Sequence, residues 1–265
     1  MQITGNDLIA AFEQFAPPSL AIPHDPIGIQ IGDGNRVIHT VLVTLDVRPA
    51  VVEEAVALHA DMIFAHHPVV FHPAKNLNYA DPQHALYAEL IRQNILVYAA
   101  HTNYDRASGG MNDVLATTLG LADVQPFIAD GEGTNMGRIG QLPTTMSLAT
   151  FIDQVKQQLE LNGVRVIARD LQRPVRTVAV LGGSGSEWWP DALAAGADVY
   201  LTGDVTYHTG HDMLAGDLPV IDAGHHIEHV MKQAVRSKLM SWAQENDWAV
   251  QILASALNTD PFTFR

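Results

Sequence analysis

The residues most able to do chemistry in this 265-residue chain are its histidines and the carboxylates beside them. Nine of thirteen histidines fall in tight groups: His66, His67 and His72; His101; His208 and His211; His225, His226 and His229. Asp105 follows His101 by four residues and Glu228 follows His225 by three. Imidazole nitrogen with carboxylate oxygen suits a divalent transition-metal ion (zinc, iron, manganese, nickel or cobalt) without choosing among them. Cysteine is absent, which removes thiolate ligands, disulfides and cysteine nucleophiles. The candidate ligand-type groups, His66, His67, His101, Asp105, His225 and Glu228, outnumber the three that one tetrahedral catalytic ion takes beside a water. Two ions per chain are therefore expected. Asp105 or Glu228 could bridge them, and a water held between ions about 3.5–4 Å apart would be acidified into a nucleophile.

Each group also has a plain structural reading. His66 and His67 could be surface loop residues, Asp105 and Glu228 could cap helices, and His72, His208, His211, His226 and His229 read as solvated or supporting. What favours the metal is convergence at strand ends. Residues 62–65 are an apolar run bounded by Asp61 and Pro68, which suits a buried strand of a mostly parallel sheet. Pro68 cannot continue the ladder, so His66 and His67 sit where the strand's carboxyl end opens, the edge at which open α/β sheets bind ligands. Adjacent strand residues face opposite ways, so two histidines serving one site need a break in the pleat, which the proline supplies. The apolar run 95–100 ends likewise in His101-Thr102-Asn103-Tyr104-Asp105.

Around these strands the pattern alternates. Thr4 caps a helix carrying Leu8, Ile9, Phe12 and Phe15; 37–45 reads as a strand; Pro49 opens a helix; Asp81-Pro82 caps another through Leu86, Leu90 and Ile91. Strands alternating with helices indicate β-α-β units and an α/β fold. The pattern loosens after Leu121 through Gly131-Glu132-Gly133, placing a boundary between a first lobe, 1–124, and a second, 125–265. In the second lobe Ser147 caps a helix between strands at 136–142 and 164–168. A strand at 177–181 runs into Gly182-Gly183-Ser184-Gly185-Ser186, a tight turn or an anion-binding nest but not a Walker loop. A helix opens at His225 and a last strand covers 248–253. Ala60-Asp61 before its strand has an echo in Ala197-Asp198, and the strand ending at His101 has one ending at His225, so the lobes read as a degenerate repeat.

A net charge of -14 with 15 Lys and Arg argues against nucleic acid, whose phosphates call for clustered cations. A small anionic substrate remains compatible where metal reverses the local sign. No apolar run approaches the ~18 residues of a membrane helix, and the first residues lack the pattern of a secretory signal, so a cytoplasmic location is expected.

Residues 61–71 (Asp-Met-Ile-Phe-Ala-His-His-Pro-Val-Val-Phe), 100–105 (Ala-His-Thr-Asn-Tyr-Asp), 182–185 (Gly-Gly-Ser-Gly), 201–204 (Leu-Thr-Gly-Asp) and 224–228 (Gly-His-His-Ile-Glu) together resemble the NIF-three-like family, whose members are often labelled GTP cyclohydrolase 1 type 2 homologues. The resemblance implies two similar α/β lobes with mostly parallel sheets, a dinuclear metal site in the cleft between them, and a ring-shaped homohexamer. It implies metal ligation by His66, His67, Asp105, His225 and Glu228, with His101 in or beside the ligand set. Some relatives carry an extra domain between the lobes, for which this chain has no room. Two functions stay open: a metal-dependent hydrolase of a nucleotide-like or small anionic substrate with His101 as general acid or base, and a non-catalytic metal-binding or regulatory protein forming a ring-shaped oligomer.

Overall fold

A computed structural model describes residues 1–129 and 135–265. The 131–133 stretch, expected to join the lobes, lies outside them. The chain forms two compact units, 1–104 with 231–259, and 105–230 with 260–265.

The first unit is built on a five-stranded sheet ordered Gln251–Ala254, Thr40–Thr44, Met62–Ala65, Leu96–Ala99 and Gly28–Ile31. The first four strands are parallel and Gly28–Ile31 runs antiparallel along the edge. Every residue of the three central strands is buried, as a parallel sheet with both faces covered requires. Ile63, Ala65 and Leu42 pack with Val51, Val52, Leu86 and Leu90 of the helices Pro49–Ala57 and Pro82–Arg92. On the other face Phe64 meets Phe12 at 4.6 Å between ring centroids, and Phe12 meets Trp242 at 6.3 Å. These rings belong to the helices Gly5–Phe15 and Met231–Glu245. The helix starts follow from sequence. Thr4 and Asp7 form a capping box, and Asp81 accepts from the N–H groups of Gln83 and His84.

The second unit carries a six-stranded sheet ordered Arg165–Ile167, Val220–Asp222, Val199–Thr202, Pro174–Val180, Arg138–Ser147 and Ala122–Gln125. Its adjacent strands Val220–Asp222, Val199–Thr202 and Pro174–Val180 are parallel, and the remaining pairings are antiparallel. Tyr200, Ala179, Val220 and Met213 share its core.

The contacts divide the chain between Tyr104 and Asp105 and again between Val230 and Met231, which differs from a single boundary at 124/125. The physical reason lies at the far end of the chain. Gln251–Ala254 pairs with Thr40–Thr44, and the helix before it covers the same sheet, so residues 231–259 return to the first unit. Asp105 and the helix Met111–Thr118 instead join the second, where that helix packs on its strands.

The repeat read from sequence reappears in strand order and direction. Thr40–Thr44, Met62–Ala65, Leu96–Ala99 and antiparallel Gly28–Ile31 correspond to Pro174–Val180, Val199–Thr202, Val220–Asp222 and antiparallel Arg165–Ile167. Asp61 accepts from the N–H groups of His39 and Thr40, and Asp198 from those of Arg176 and Thr177. The ladder makes one adjustment. Ala100 and Ala223 occupy matching positions, each donating its N–H to the neighbouring strand's last residue. His101 therefore matches Gly224, and His225 lies one residue further on.

Candidate metal centre

In the first unit the ladder runs past the Met62–Ala65 strand: His66 N–H reaches Thr44 O and His67 N–H reaches Leu45 O. The histidines are thereby fixed by backbone before their rings are considered. His66 is fully buried, and its Nδ1 donates to Ala100 O at 2.8 Å. His67 Nδ1 donates to Asp46 Oδ1 at 2.7 Å, and His101 Nδ1 to Asp25 Oδ1 at 2.8 Å. Carbonyl and carboxylate oxygens only accept, so each Nδ1 carries a proton, and Nε2 is the nitrogen that offers a lone pair whenever the ring is neutral. One ligand atom from each of His66, His67 and His101 lies within 4.8 Å of the others. This is how metal-binding histidines are ordinarily oriented, by a fixed acceptor behind the ring.

The two aspartates are tuned for that task. Burial pushes the Asp46 carboxyl up, but hydrogen bonding and charge from His67, with help from Thr259 and Arg48, outweigh it and leave the group below the usual carboxylate range. Asp25 is likewise raised by burial and lowered further by His101 and Thr102, with the same net direction. Asp25 also accepts from the Thr102 N–H at 3.0 Å and from the Thr102 hydroxyl, so it fixes the loop as well as the ring.

In the second unit residues His225–Val230 form a 3-10 turn ahead of the Met231–Glu245 helix, where a continuous helix was expected from His225. Three residues per turn bring positions i and i+3 into line. His225 Nε2 and Glu228 Oε2 stand 3.3 Å apart. Asp204 Oδ2 accepts from His225 Nδ1 at 2.7 Å, repeating the anchored-ring arrangement. Glu228 is 2% exposed, and one of its oxygens lies within 4.8 Å of a carboxylate oxygen of Asp105. Asn112, itself buried, donates to Asp105 O and accepts from Gly182 N–H, each at 3.0 Å.

The glycine loop at 182–185 has a specific task here. A Cβ on Gly183 would stand 2.8 Å from Glu228 Oε1 and 3.3 Å from His225 Nε2, and Gly183 has φ +65. The loop thus lets backbone approach the donor side chains, and a side chain at this position would displace them.

The six expected residues accordingly fall into one group in each unit, His66, His67 and His101 in the first, Asp105, His225 and Glu228 in the second. Among the described residues, His72, His208, His211, His226 and His229 join no group of three possible ligands. His229 Nε2 meets Leu159 O at 3.1 Å, and its ring stacks on His226. The sequence reading missed Asp25, Asp46 and Asn112, and noted Asp204 only as the end of the Leu-Thr-Gly-Asp motif, with no role of its own. Asp46 and Asp204 had a usable signal, since each follows the carboxyl end of a central strand. Asp25 and Asn112 had none.

An α/β scaffold whose strand ends deliver anchored histidines and buried carboxylates defines a candidate metal-binding protein. The family model Duf34/NIF3 (NGG1p interacting factor 3) matches residues 3–261, and the chain belongs to that family. A GTP cyclohydrolase 1 type 2 homolog of Lactococcus lactis is 40% identical over 259 residues, covering 97% of this chain and 98% of the relative. One from Streptococcus pneumoniae is 38% identical over 260 residues with the same coverage. The alignment with a Listeria innocua relative extends over 368 positions, longer than this whole chain, so that relative carries additional sequence. Among solved structures, a Bacillus cereus protein related to NIF3 superposes with a TM-score of 0.95 at 31% identity, covering 99% of both chains. Reduced HcgD from Methanocaldococcus jannaschii gives 0.80 at 28% identity, covering 97% of this chain and 99% of its own. No helix among the described residues is long and apolar enough to cross a membrane.

Proposed function

We propose that the protein is a hydrolase that uses two divalent transition-metal ions on a nucleotide-like or other small anionic substrate. The observation carrying this reading is the fourfold repetition of one device: His66, His67, His101 and His225 each commit Nδ1 to a fixed oxygen acceptor. Fixing a ring costs side-chain freedom, and four rings each held by an acceptor at Nδ1 serve ligation or proton transfer. His66, His67, Asp105, His225 and Glu228 are the proposed ligands. Nitrogen and carboxylate donors without sulfur fit zinc, iron, manganese, nickel or cobalt. Bound there, such ions would acidify water and supply the positive charge that an anionic substrate needs in a chain of net charge -14.

The remaining chemistry belongs to side chains. His101, backed by Asp25, accepts a proton at Nε2, and the adjacent carboxylate stabilises the resulting imidazolium. Asp46 and Asp204 hold their rings against rotation and exclude the other tautomer. The relatives' shared name, homolog of a GTP cyclohydrolase, favours a purine nucleotide among anionic substrates. A ring-shaped homohexamer is proposed from the family resemblance, and a cytoplasmic location stays the expectation from sequence. The test is purification without added metal, elemental analysis, and a hydrolysis screen of nucleotides and phosphoesters. Two ions per chain with turnover abolished by His101→Gln supports the reading, and metal uptake with no turnover on any of them leaves a binding protein in its place.

A further inference from the structure

We infer that Asp222 is a positioning residue that sets the distance between Asp204 and His225. The inference rests on reading His225 as a metal ligand. Asp222 ends the Val220–Asp222 strand and is 3% exposed. Its Oδ1 accepts from Gly224 N–H at 3.0 Å and its Oδ2 from Val205 N–H at 3.0 Å. Gly224 precedes His225, and Val205 follows the aspartate that anchors the His225 ring. One carboxylate thus grips both segments.

Both segments need gripping. Asp204 has φ 56, a left-handed conformation that a residue with a side chain keeps through its surroundings, and Gly224 has φ 80, which glycine adopts freely, so hydrogen bonds rather than sterics must fix its position. Arg165, directly opposite Asp222 on the antiparallel strand, donates Nη2 to Asp222 Oδ2 and to Val205 O at 3.0 Å. The guanidinium therefore neutralises the buried carboxylate and braces the same loop a second time. The first unit meets the same need differently, since Asp25 alone holds both the His101 ring and the Thr102 backbone. Ala99 occupies the position there that Asp222 fills here, by the ladder that pairs it with Ala65 as Asp222 pairs with Thr202.

The amide of Asp222→Asn has a single acceptor oxygen, and its NH2 must face either the Gly224 N–H or the Val205 N–H, donor against donor. One segment is released. Zinc titration against a chromophoric chelator, on the full chain, should find two ions in the wild type, with one of them weakened about 10–100-fold in Asp222→Asn and the other unchanged. Asp198→Asn is the control for general destabilisation. Asp198 accepts two backbone N–H bonds at the other end of the Val199–Thr202 strand, from Arg176 and Thr177, and its variant should keep both ions. Arg165→Gln covers the case in which Asp222→Asn does not fold, because its side chain is 64% exposed on an edge strand. It should weaken the same single ion. Equal weakening of both ions, equal loss in Asp198→Asn, or unchanged binding in both Asp222→Asn and Arg165→Gln would overturn the inference. A wild type that takes up no ion overturns the metal reading itself, and the inference with it.

Discussion

Gly183→Ala separates what the glycine loop does for the fold from what it does for the site. At φ +65 an alanine pays the left-handed cost of about 1–2 kcal/mol. For a chain of 265 residues that lowers the melting temperature by roughly 2–4 °C. The new Cβ would stand 2.8 Å from Glu228 Oε1, and ordinary contact begins near 3.4 Å. The carboxylate must retreat by that difference, which exceeds the tolerance of about 0.5 Å within which a metal constellation works. For the fold this retreat is cheap, because Oε1 is the end of a flexible side chain. For ligation it is not, and a loss of about 10–100-fold in affinity is expected, the scale seen when a ligand's support is disturbed. Gly196→Ala is the matched control. Gly196 has φ +82, yet a Cβ there meets nothing within 4 Å. It should lose comparable stability and keep wild-type affinity, read by calorimetric melting of metal-free protein and by chelator competition. Wild-type metal affinity in Gly183→Ala, or equal losses in the two variants, would refute the reasoning.

Glu228→Gln should lose at least one metal and any hydrolytic activity, whereas His229→Gln, whose ring is held by Leu159 O and His226, should keep both ions by elemental analysis. Chelation of metal-loaded protein should lower the melting temperature, since an ion present at about 100 times its Kd contributes about 2.7 kcal/mol to the folded state alone. Asp61→Asn tests the pH dependence of a structural carboxylate. Burial raises Asp61, but the His39 and Thr40 N–H groups and Arg36 lower it more, so its folded pKa lies below its unfolded one. Its contribution is complete above the unfolded value near 3.9 and fades as pH falls through the folded one. Urea melts should show a gap of about 2 kcal/mol at pH 7 that narrows at pH 3, and a gap of constant size would contradict the assignment.

The sequence displayed the candidate ligands because a parallel strand must be apolar along its length, so a histidine pair or a His-Thr-Asn-Tyr-Asp run at its end stands out. Capping was equally visible at Thr4, Asp81 and Ser147. What stayed hidden was pairing. Residues 248–253 could be read as a strand, observed at Gln251–Ala254, but nothing local says that it joins Thr40–Thr44 across two hundred residues. The boundary moved with it. Asp25 was hidden for a related reason: it lies in a short turn before the antiparallel edge strand Gly28–Ile31, and only the fold brings it to His101. The 3-10 geometry at His225 was also beyond a periodicity argument, because six residues fit either helix.

The repeat explains why the echo between the halves is clear at one end of the strands and blurred at the other. Asp61 and Asp198 occupy the same place in the ladder, each preceding its strand and binding two N–H groups of the neighbouring one. Six residues beyond each lie His67 and Asp204. The first is a candidate ligand anchored by Asp46, and the second is itself the anchor of a candidate ligand, His225. One position thus carries opposite halves of the same hydrogen bond in the two units. The scaffold specifies where a side chain emerges and leaves its chemistry open, so stability and ligation are separable by strand end. Asn substitutions at Asp61 or Asp198 should shift the urea midpoint and leave metal content intact. The same substitution at Asp46 or Asp204 should leave the metal-free unfolding free energy within about 1 kcal/mol and weaken one ion about 10–100-fold. Metal loss on substituting Asp61 or Asp198, at a pH and temperature where the variant remains folded, would show that the two ends are not independent.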